Sequence, residues 1–289
     1  MSASINPTVR RRRLGAELRR LREQKAMTAE EVAGRLMVSQ SKISRLENGR
    51  RSISQRDVRD LCDVYGVQDE LLRESLMAMA KESRQRGWWH AFGDIPYSVY
   101  IGLEAEASAV RNYESSFVPG LLQTPEYAQA VVMGIQPDTD LEAVQRRVEV
   151  RMQRQQRLRG ADPLENFWAV VDEAALRRVV GSREVMAAQL AHLADVCEEP
   201  HVNLQVIPFE KGAHPGMTGA FSILEFPESA DTAVVYLEGV TSDLYLEKEA
   251  DVHRYTGLYD HLMAAALSVT DTRSLIARYA REYAEDVRG

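Results

Sequence analysis

The sequence predicts an α+β protein with two parts: an N-terminal, all-α bundle of five helices, and a C-terminal domain of helices around a small, mostly antiparallel sheet. Apolar residues recur at helical spacing through the first part of the chain, whereas alternating or β-branched runs bounded by Gly and Pro appear only after residue 166. The length of 289 residues is long for one domain and sufficient for two.

Formal charge divides the chain in the same way. Residues 1–56 contain 14 Lys and Arg against five Asp and Glu, a charge of +9, although the whole chain carries −7. The other 233 residues contain 22 Lys and Arg against 38 Asp and Glu and therefore carry −16. A basic N-terminal part on an acidic chain is the asymmetry expected when one end of a protein meets phosphate.

The composition also argues against several classes of protein. No apolar run approaches the roughly 20 residues of a membrane helix, and the N-terminus lacks the apolar segment of a signal peptide. Cys62 and Cys197 are isolated and have no disulfide-framework or metal-site spacing. We therefore expect a reduced, cytoplasmic, nucleoid-associated protein with no metal and no cofactor.

The N-terminal part is organised around residues 28–49, TAEEVAGRLMVSQSKISRLENG. Thr28 with Glu31 three residues later forms a capping-box pattern, and Ser39 is the N-cap of a second short helix. At 100° per residue, the apolar side chains of that second helix share one side. The polar side chains on the other side are of types that hydrogen-bond to base edges: Gln40, Ser41, Ser44 and Arg45. This face is either a DNA-reading surface or simply solvated.

This stretch resembles the helix-turn-helix of the Cro/repressor family, in which SQSKISRLENG would be the recognition helix and its exit. The resemblance implies a five-helix bundle over residues 9–81, which follows a disordered arm at residues 1–8. The other three helices of the bundle are expected at about residues 8–25, 54–65 and 69–79.

The resemblance also implies roles for residues around the recognition helix. Arg22 is expected to pair with Glu47 as a structural brace. Ala29 stands where many family members have a Gln that touches DNA, so that contact is expected to be missing. Phosphate contacts are expected at the rim and exit of the recognition helix, from Lys42, Asn48, Arg50 and Arg51. Two subunits would place their recognition helices in successive major grooves of a pseudo-palindromic, double-stranded operator.

Residues 82–99 are predicted to be a linker of aromatic character. Trp88, Trp89 and Tyr97 fall within ten residues of one another in this segment. Exposed rings of this kind are energetically costly. Three interpretations stay open: the rings pack where two domains meet, they pack against a partner, or they line a cage for a ligand.

Residues 100–289 are predicted to form a domain that dimerises and binds a partner or a ligand. Helices are expected over about 101–116, from Pro125 onward, and over 141–158, 182–196, 247–267 and 271–283. Strands are expected at 167–171, 202–208, 220–226 and 233–238.

Several stretches of this domain, among them VPGLLQTPEYA, RMQRQQRL, VVDEAALRRVVG and YDHLMAAALS, together resemble regulators of the WhiJ type, which are common in actinobacteria. In that family a Cro-like helix-turn-helix precedes a longer C-terminal domain, and the gene typically lies beside one for a small protein. The arrangement is similar to toxin–antitoxin modules. The resemblance implies a homodimeric repressor that is controlled, like an antitoxin, by a small partner protein.

The sequence contains no catalytic motif, so we expect no enzyme activity. Its six His residues lack metal-ligand spacing, and no nucleophile elbow, phosphate loop or dinucleotide fingerprint is present. The alternative to a partner protein is a small-molecule effector. Its pocket would be lined by aromatic residues and by a His in a Gly/Pro-rich loop: Trp88, Trp89, Tyr97, Phe117, Trp168 and His214. A pocket would favour the effector, and an exposed apolar surface would favour the partner protein.

Overall fold

The computed structural model describes residues 7–49, 51–83, 88–92, 95, 97–160, 163–227 and 233–288. The described chain divides into two compact units, Met1–Glu106 and Ala107–Gly289. Most of the N-terminal arm predicted at residues 1–8 lies outside the described residues, and so does Arg50.

The first unit contains the predicted five helices and a sixth. They are α1 (Pro7–Gln24), α2 (Ala29–Arg35), α3 (Gln40–Glu47), α4 (Gln55–Tyr65), α5 (Glu70–Glu82) and α6 (Ser98–Glu104). The five-helix bundle is confirmed, and α6 packs against α1 within the same unit.

The core of the first unit forms around α1. Leu14, Leu18 and Leu21 recur at intervals of three to four residues along α1 and are all buried. They belong to one cluster with buried side chains from the other four helices of the bundle, among them Ile43 of α3 and Tyr65 of α4. Because α1 contacts α3, α4 and α5, the position of α3 depends on α1.

The second unit contains a six-stranded sheet and seven α-helices within the described residues. The strands are β1 (Ala109–Glu114), β2 (Asn166–Asp172), β3 (Val202–Ile207), β4 (Phe221–Glu225), β5 (Val234–Leu237) and β6 (Leu244–Leu246). The helices are α7 (Pro125–Ile135), α8 (Leu141–Arg154), α9 (Gln156–Arg159), α10 (Ala174–Arg177), α11 (Arg183–Val196), α12 (Glu249–Ala265) and α13 (Val269–Arg288).

The sheet is mixed, with the strand order β3-β2-β1-β4-β5-β6. Strands β1, β2 and β3 pair in parallel, whereas β1–β4, β4–β5 and β5–β6 pair antiparallel. The α+β class is confirmed, and the sheet is larger than the small, mostly antiparallel one that was predicted. Parallel strands require a crossover connection, which the helices α7–α9 and α10–α11 provide. The alternation of side chains within one strand does not show whether its neighbour runs parallel or antiparallel.

The prediction of a helix over residues 101–116 was wrong. Helix α6 ends at Glu104, and the chain continues as β1, which pairs with β2 on one side and β4 on the other. The apolar spacing of Leu103, Ala107 and Val110 fits one continuous helix. It fits equally well a short helix that is followed by a strand, which is what the structure has. Pairing with β2 and β4 makes this segment a strand. Both partners lie more than 50 residues away in the sequence, so the local pattern does not show them.

One face of the sheet packs against α12. Tyr113, Val170 and Phe221 lie on this face at neighbouring register positions and form one core cluster with Tyr259 and Leu262 of α12. Because side chains alternate along a strand, the other face of β1 carries Asn112 and Glu114.

Candidate nucleic-acid interface and buried polar cluster

Two local signals fix the ends of the helix-turn-helix. Thr28 and Glu31 form the complete predicted capping box of α2, and the Ser39 hydroxyl accepts a hydrogen bond from the backbone N–H of Lys42 at the start of α3. Gly49 follows α3 with a φ of +63°, a left-handed conformation that suits the residue after a helix C-cap. These caps define α3 as a helix of two turns.

The outward face of α3 carries all four predicted base-contacting side chains. Each of them is exposed: Gln40, Ser41, Ser44 and Arg45. The Arg45 Nε donates to the Ser41 carbonyl at 3.1 Å, and Asn48 Nδ2 donates to the Ser44 hydroxyl at 3.3 Å. These contacts lie along the helix surface and leave the polar groups accessible to a partner. Contact with bases stays a prediction.

A largely buried ion pair between Arg22 of α1 and Glu47 fixes the inner side of α3. Arg22 Nε donates to Glu47 Oε1 at 2.7 Å, and Arg22 Nη2 donates to Glu47 Oε2 at 2.9 Å. The side chains are only 12% and 5% exposed, respectively. The hydrogen bond that Arg22 donates to Glu47 is the main reason that the pKa of Arg22 is raised. Burial, followed by the Glu47 charge, raises the pKa of Tyr65. The bidentate geometry fixes the end of α3 to α1.

A close backbone contact between α1 and α3 escaped the sequence analysis. A Cβ at Gly15 of α1 would lie 2.5 Å from the Glu47 carbonyl oxygen and 2.6 Å from that of Leu46. Only glycine permits this approach of the two helices. The available signal was a glycine in the middle of an otherwise regular helix, where it is unfavourable unless packing requires it.

The residues expected to contact phosphate have different surroundings. Asn48 and Arg51 are exposed at the exit of α3. Lys42, in contrast, is half-buried, and its Nζ lies 2.8 Å from Asp57 Oδ1 at the start of α4. The phosphate contacts stay predictions for all of these residues.

Three of the six predicted pocket residues lie in the first unit. The ring centroids of Trp88 and Trp89 are 5.8 Å apart in an edge-to-face arrangement, and Trp88 makes a similar contact with Phe92 at 6.1 Å. Trp89 is buried, whereas Trp88 and Tyr97 are half-buried. The two indoles therefore form an aromatic contact within the first unit.

The other three predicted pocket residues lie in the second unit. Phe117 and Trp168 are half-buried. Trp168 Nε1 donates to Gln205 Oε1 at 2.9 Å, and its carbonyl oxygen accepts a hydrogen bond from the Tyr259 hydroxyl at 2.6 Å. These bonds join Trp168 to the packing of the sheet. Of the three, His214 alone belongs to the buried polar cluster described next.

A buried polar cluster forms at the carboxyl ends of β1 and β2. His214 Nε2 lies 3.1 Å from Asp172 Oδ2, and the imidazole side chain is 5% exposed. Its Nδ1 atom has no hydrogen-bond partner among the described residues, and neither has the hydroxyl of the fully buried Tyr113. The His214 and Tyr113 rings meet edge to face with centroids 6.2 Å apart. Two unpaired polar atoms thus lie in one buried neighbourhood.

The loop that carries His214 covers Tyr113. A Cβ at Gly216 would lie 2.3 Å from Tyr113 Cζ, so the loop backbone rests directly on the phenol ring. Gly212 and Gly219 flank this stretch with positive φ values of +68° and +133°. The sequence indicated a Gly/Pro-rich loop here, but not its contact with β1.

Glu114 ends β1 on the opposite face of the sheet. Burial raises its pKa to about 8, although a hydrogen bond from Asn112 Nδ2 at 3.4 Å and the charge of Arg151 act in the other direction. Arg151 Nη1 itself donates to Gln123 Oε1 at 2.6 Å. Arg157 and Arg159 of the following helix α9 likewise donate within the second unit, to the Ala107 carbonyl at 2.7 Å and to Glu199 Oε1 at 3.0 Å.

No group of three or more His, Cys, Asp or Glu side chains within the described residues could hold a metal ion. In the same residues, no helix is both long and apolar enough to cross a membrane.

The first unit and the exposed polar face of α3 define a helix-turn-helix, and residues 13–75 match a family described as a helix-turn-helix domain. The protein is therefore a DNA-binding transcriptional regulator. Residues 97–278, more than half of the chain, match a family described as a domain of unknown function (DUF5753), and the chain belongs to that family. No curated protein and no solved structure shows significant similarity to the chain.

Proposed function

We propose that this regulator acts in the cytoplasm as a homodimeric repressor, without enzyme activity, on a pseudo-palindromic, double-stranded operator. The observation that carries the proposal is the two-sided construction of α3. Its inner side is fixed by Ile43, Leu46 and the Arg22–Glu47 pair, whereas its outer side presents only exposed polar groups. A helix held in this way suits insertion into the major groove.

In the proposed complex the outward face of α3 reads bases. Gln40 would pair with adenine, Arg45 with guanine, and Ser41 and Ser44 with either. Asn48 and Arg51 would contact phosphates and set the register. Arg50 is assigned the same role from its position in the sequence.

Selection from a pool of random duplexes tests sequence-specific binding by the full chain. The expected product is an inverted repeat whose half-sites are separated by about one helical turn or a multiple of it. Arg45→Ala should weaken binding to the selected duplex by about 1–3 kcal/mol and relax preference at one base position in each half-site. Sedimentation of the protein alone and with the duplex measures the dimer.

Arg51→Gln is the matched control for Arg45→Ala. It should weaken binding to selected and random duplexes alike. The slope of log affinity against log salt concentration should decrease in magnitude by about one unit. If both substitutions affected selected and random duplexes equally, the assignment of base and phosphate roles would be wrong.

We propose that the second unit receives the controlling signal, and that this signal is a small partner protein, as in an antitoxin. Several large apolar side chains of this unit are more than half exposed: Phe209, Met217, Val240 and Leu244. Exposed apolar side chains support binding of a protein partner when they form a common surface.

A small-molecule effector is the second candidate, and the buried polar cluster favours it. His214 Nδ1 and the Tyr113 hydroxyl are buried polar atoms without a partner among the described residues. Such atoms are unfavourable unless a ligand or an ordered water completes their hydrogen bonds. The signal would then be a compact molecule with a hydrogen-bonding group.

Affinity purification of the full chain from its native lysate, with mass spectrometry of retained proteins and small molecules, separates the two candidates. A stoichiometric small protein that is lost from the Phe209→Ser/Met217→Ser variant would support the partner. A retained metabolite that is lost from the Tyr113→Phe/His214→Asn variant would support the effector. Retention of either by both variants would contradict the corresponding surface assignment.

A further inference from the structure

Lys42 lies beside the outward face of α3 that Gln40, Ser41, Ser44 and Arg45 form. Three residues before Arg45, it lies about 60° further round the helix. Its position at the rim of the exposed face is the one from which a lysine reaches a phosphate. In the structure, however, its Nζ is engaged by Asp57 Oδ1 at 2.8 Å.

Asp57 is itself held in place at the start of α4. Its Oδ2 atom accepts hydrogen bonds from the backbone N–H of Ser54 at 3.0 Å and from the Ser54 hydroxyl at 2.5 Å. Together with the Ser54 hydroxyl, which caps the backbone N–H of Asp57, these bonds complete a capping box. Both carboxylate oxygens are thus occupied, and the side chain loses little further freedom when it binds Lys42.

The ion pair is partly shielded from water. The side chains of Lys42 and Asp57 are 26% and 24% exposed. Burial alone would raise the pKa of Asp57, but the hydrogen bonds from Lys42 and Ser54 outweigh burial and lower the pKa. The carboxylate is therefore charged at neutral pH, and a phosphate must compete with a fixed anion for the Lys42 ammonium.

We propose that Asp57 withholds Lys42 from the DNA backbone and thereby limits the sequence-independent part of DNA binding. This inference rests on the proposed function, because it requires α3 to lie in the major groove. Removing one phosphate contact lowers affinity for all sequences and flattens the salt dependence. A larger share of the remaining affinity then comes from the base-reading face.

The test measures affinity for a random-sequence duplex of about three helical turns as a function of salt. Asp57→Asn keeps an oxygen that can accept from Ser54 but removes the charge that holds Lys42. This variant should bind random DNA about three- to ten-fold more tightly at low salt, with the salt slope steeper by about 0.9. Lys42→Gln/Asp57→Asn should lose this gain.

Asp60→Asn is the matched control, since Asp60 lies on the same helix and its ion pair within the described residues is with the exposed Arg56, at 3.8 Å. Equal effects of Asp57→Asn and Asp60→Asn would overturn the inference, because they would show a general effect of charge. So would persistence of the gain in the double variant.

Lys42→Gln alone provides a second test if Asp57→Asn folds poorly. The inference expects almost no change in salt slope, whereas a loss of about one unit would show that Lys42 already contacts phosphate and would overturn it. Failure of the proposed function has a different signature: the wild-type chain would select no sequence from the random pool, and Arg45→Ala would not change its preference.

Discussion

In the first unit the buried carboxylate of Glu47 receives two hydrogen bonds from Arg22, whereas in the second the buried imidazole of His214 is bonded to Asp172 at only one nitrogen. Glu114 of the second unit is half-buried and accepts one long hydrogen bond from Asn112. The comparison indicates different tasks. A helix that reads bases, as proposed for α3, requires a fixed frame, and the bidentate Arg22–Glu47 pair supplies it. Incomplete pairing leaves a site whose energy a ligand or a proton can change.

Breaking the buried pair of the first unit should have the largest effect. Glu47→Leu leaves the Arg22 guanidinium largely buried without its carboxylate and should lower the free energy of unfolding by about 3 kcal/mol. Chemical denaturation of the full chain, followed by a probe in the first unit, measures this change. Arg22→Met/Glu47→Leu should be more stable than Glu47→Leu. If the double variant were the less stable of the two, charge burial would not be the cause.

Separating α1 from α3 should have the next largest effect. Gly15→Ala places a Cβ against the backbone of Glu47 and should destabilise the first unit by about 1–3 kcal/mol, because backbone must move. It should also weaken binding to the selected duplex, although Gly15 belongs to α1 and faces the side of α3 that is turned away from the proposed DNA surface. Denaturation and DNA titration measure the two effects.

Gly34→Ala is the control for that substitution. A Cβ at Gly34 of α2 would have no neighbour within 4 Å, so the change should stabilise the helix by up to about 1 kcal/mol. Loss of stability in Gly34→Ala as well would show that the effect of Gly15→Ala does not arise from the contact with α3.

In the second unit, replacing the half-buried, ionisable side chain of Glu114 should stabilise the protein, in contrast to Glu47→Leu in the first unit. The pKa of Glu114 is about 8 in the folded protein against an ordinary value of 4.5, so the folded state retains a proton that the unfolded state releases. Stability from this group is complete below about pH 4.5 and is lost as the pH rises through 8. Glu114→Gln should therefore raise the melting temperature above pH 8 by a few degrees relative to wild type and have little effect near pH 5.

Melting curves of both proteins between pH 5 and 9 measure this difference directly. The difference between wild type and Glu114→Gln isolates the contribution of Glu114 from that of all other titrating groups. A difference that did not vary with pH would contradict the raised pKa.

The smallest effect is expected at the unpaired hydroxyl of Tyr113. Tyr113→Phe removes a buried polar atom without a described partner and should change stability by less than about 1 kcal/mol, in the stabilising direction. Tyr259→Phe is the matched variant on the same face of the sheet. It removes a hydroxyl that donates to the Trp168 carbonyl at 2.6 Å and should lose about 1 kcal/mol. If Tyr113→Phe and Tyr259→Phe lowered the free energy of unfolding equally, a bound molecule or water would be pairing with the Tyr113 hydroxyl.

The first unit was predictable because its signals are local. The predicted caps at Thr28 and Ser39 define the starts of α2 and α3. The bounds that the family resemblance implied for α1, α4 and α5 lie within about three residues of those observed. The exposure of the reading face followed from the helical period of α3. Pairing of Lys42 with Asp57 was not predictable, since it depends on how α3 and α4 approach each other in space.

In the second unit local signals were ambiguous. The β-branched runs identified four strands, but β1 was assigned to a helix and the three-residue β6 was not recognised. The contact of His214 with Asp172 spans 42 residues and depends on the carboxyl end of β2, so the sequence indicated the loop without its partner. Strand direction likewise depends on crossovers that a sequence does not show.

The outward positions of α3 contribute nothing to the core that the described residues form, because the inner residues and the contact with Gly15 hold the helix alone. Operator preference can therefore diverge or be redesigned independently of folding. Exchanging the four outward side chains as a set should leave the packing of the first unit unchanged. If this face reads bases as proposed, the exchange would give regulators with new target sequences on the same scaffold.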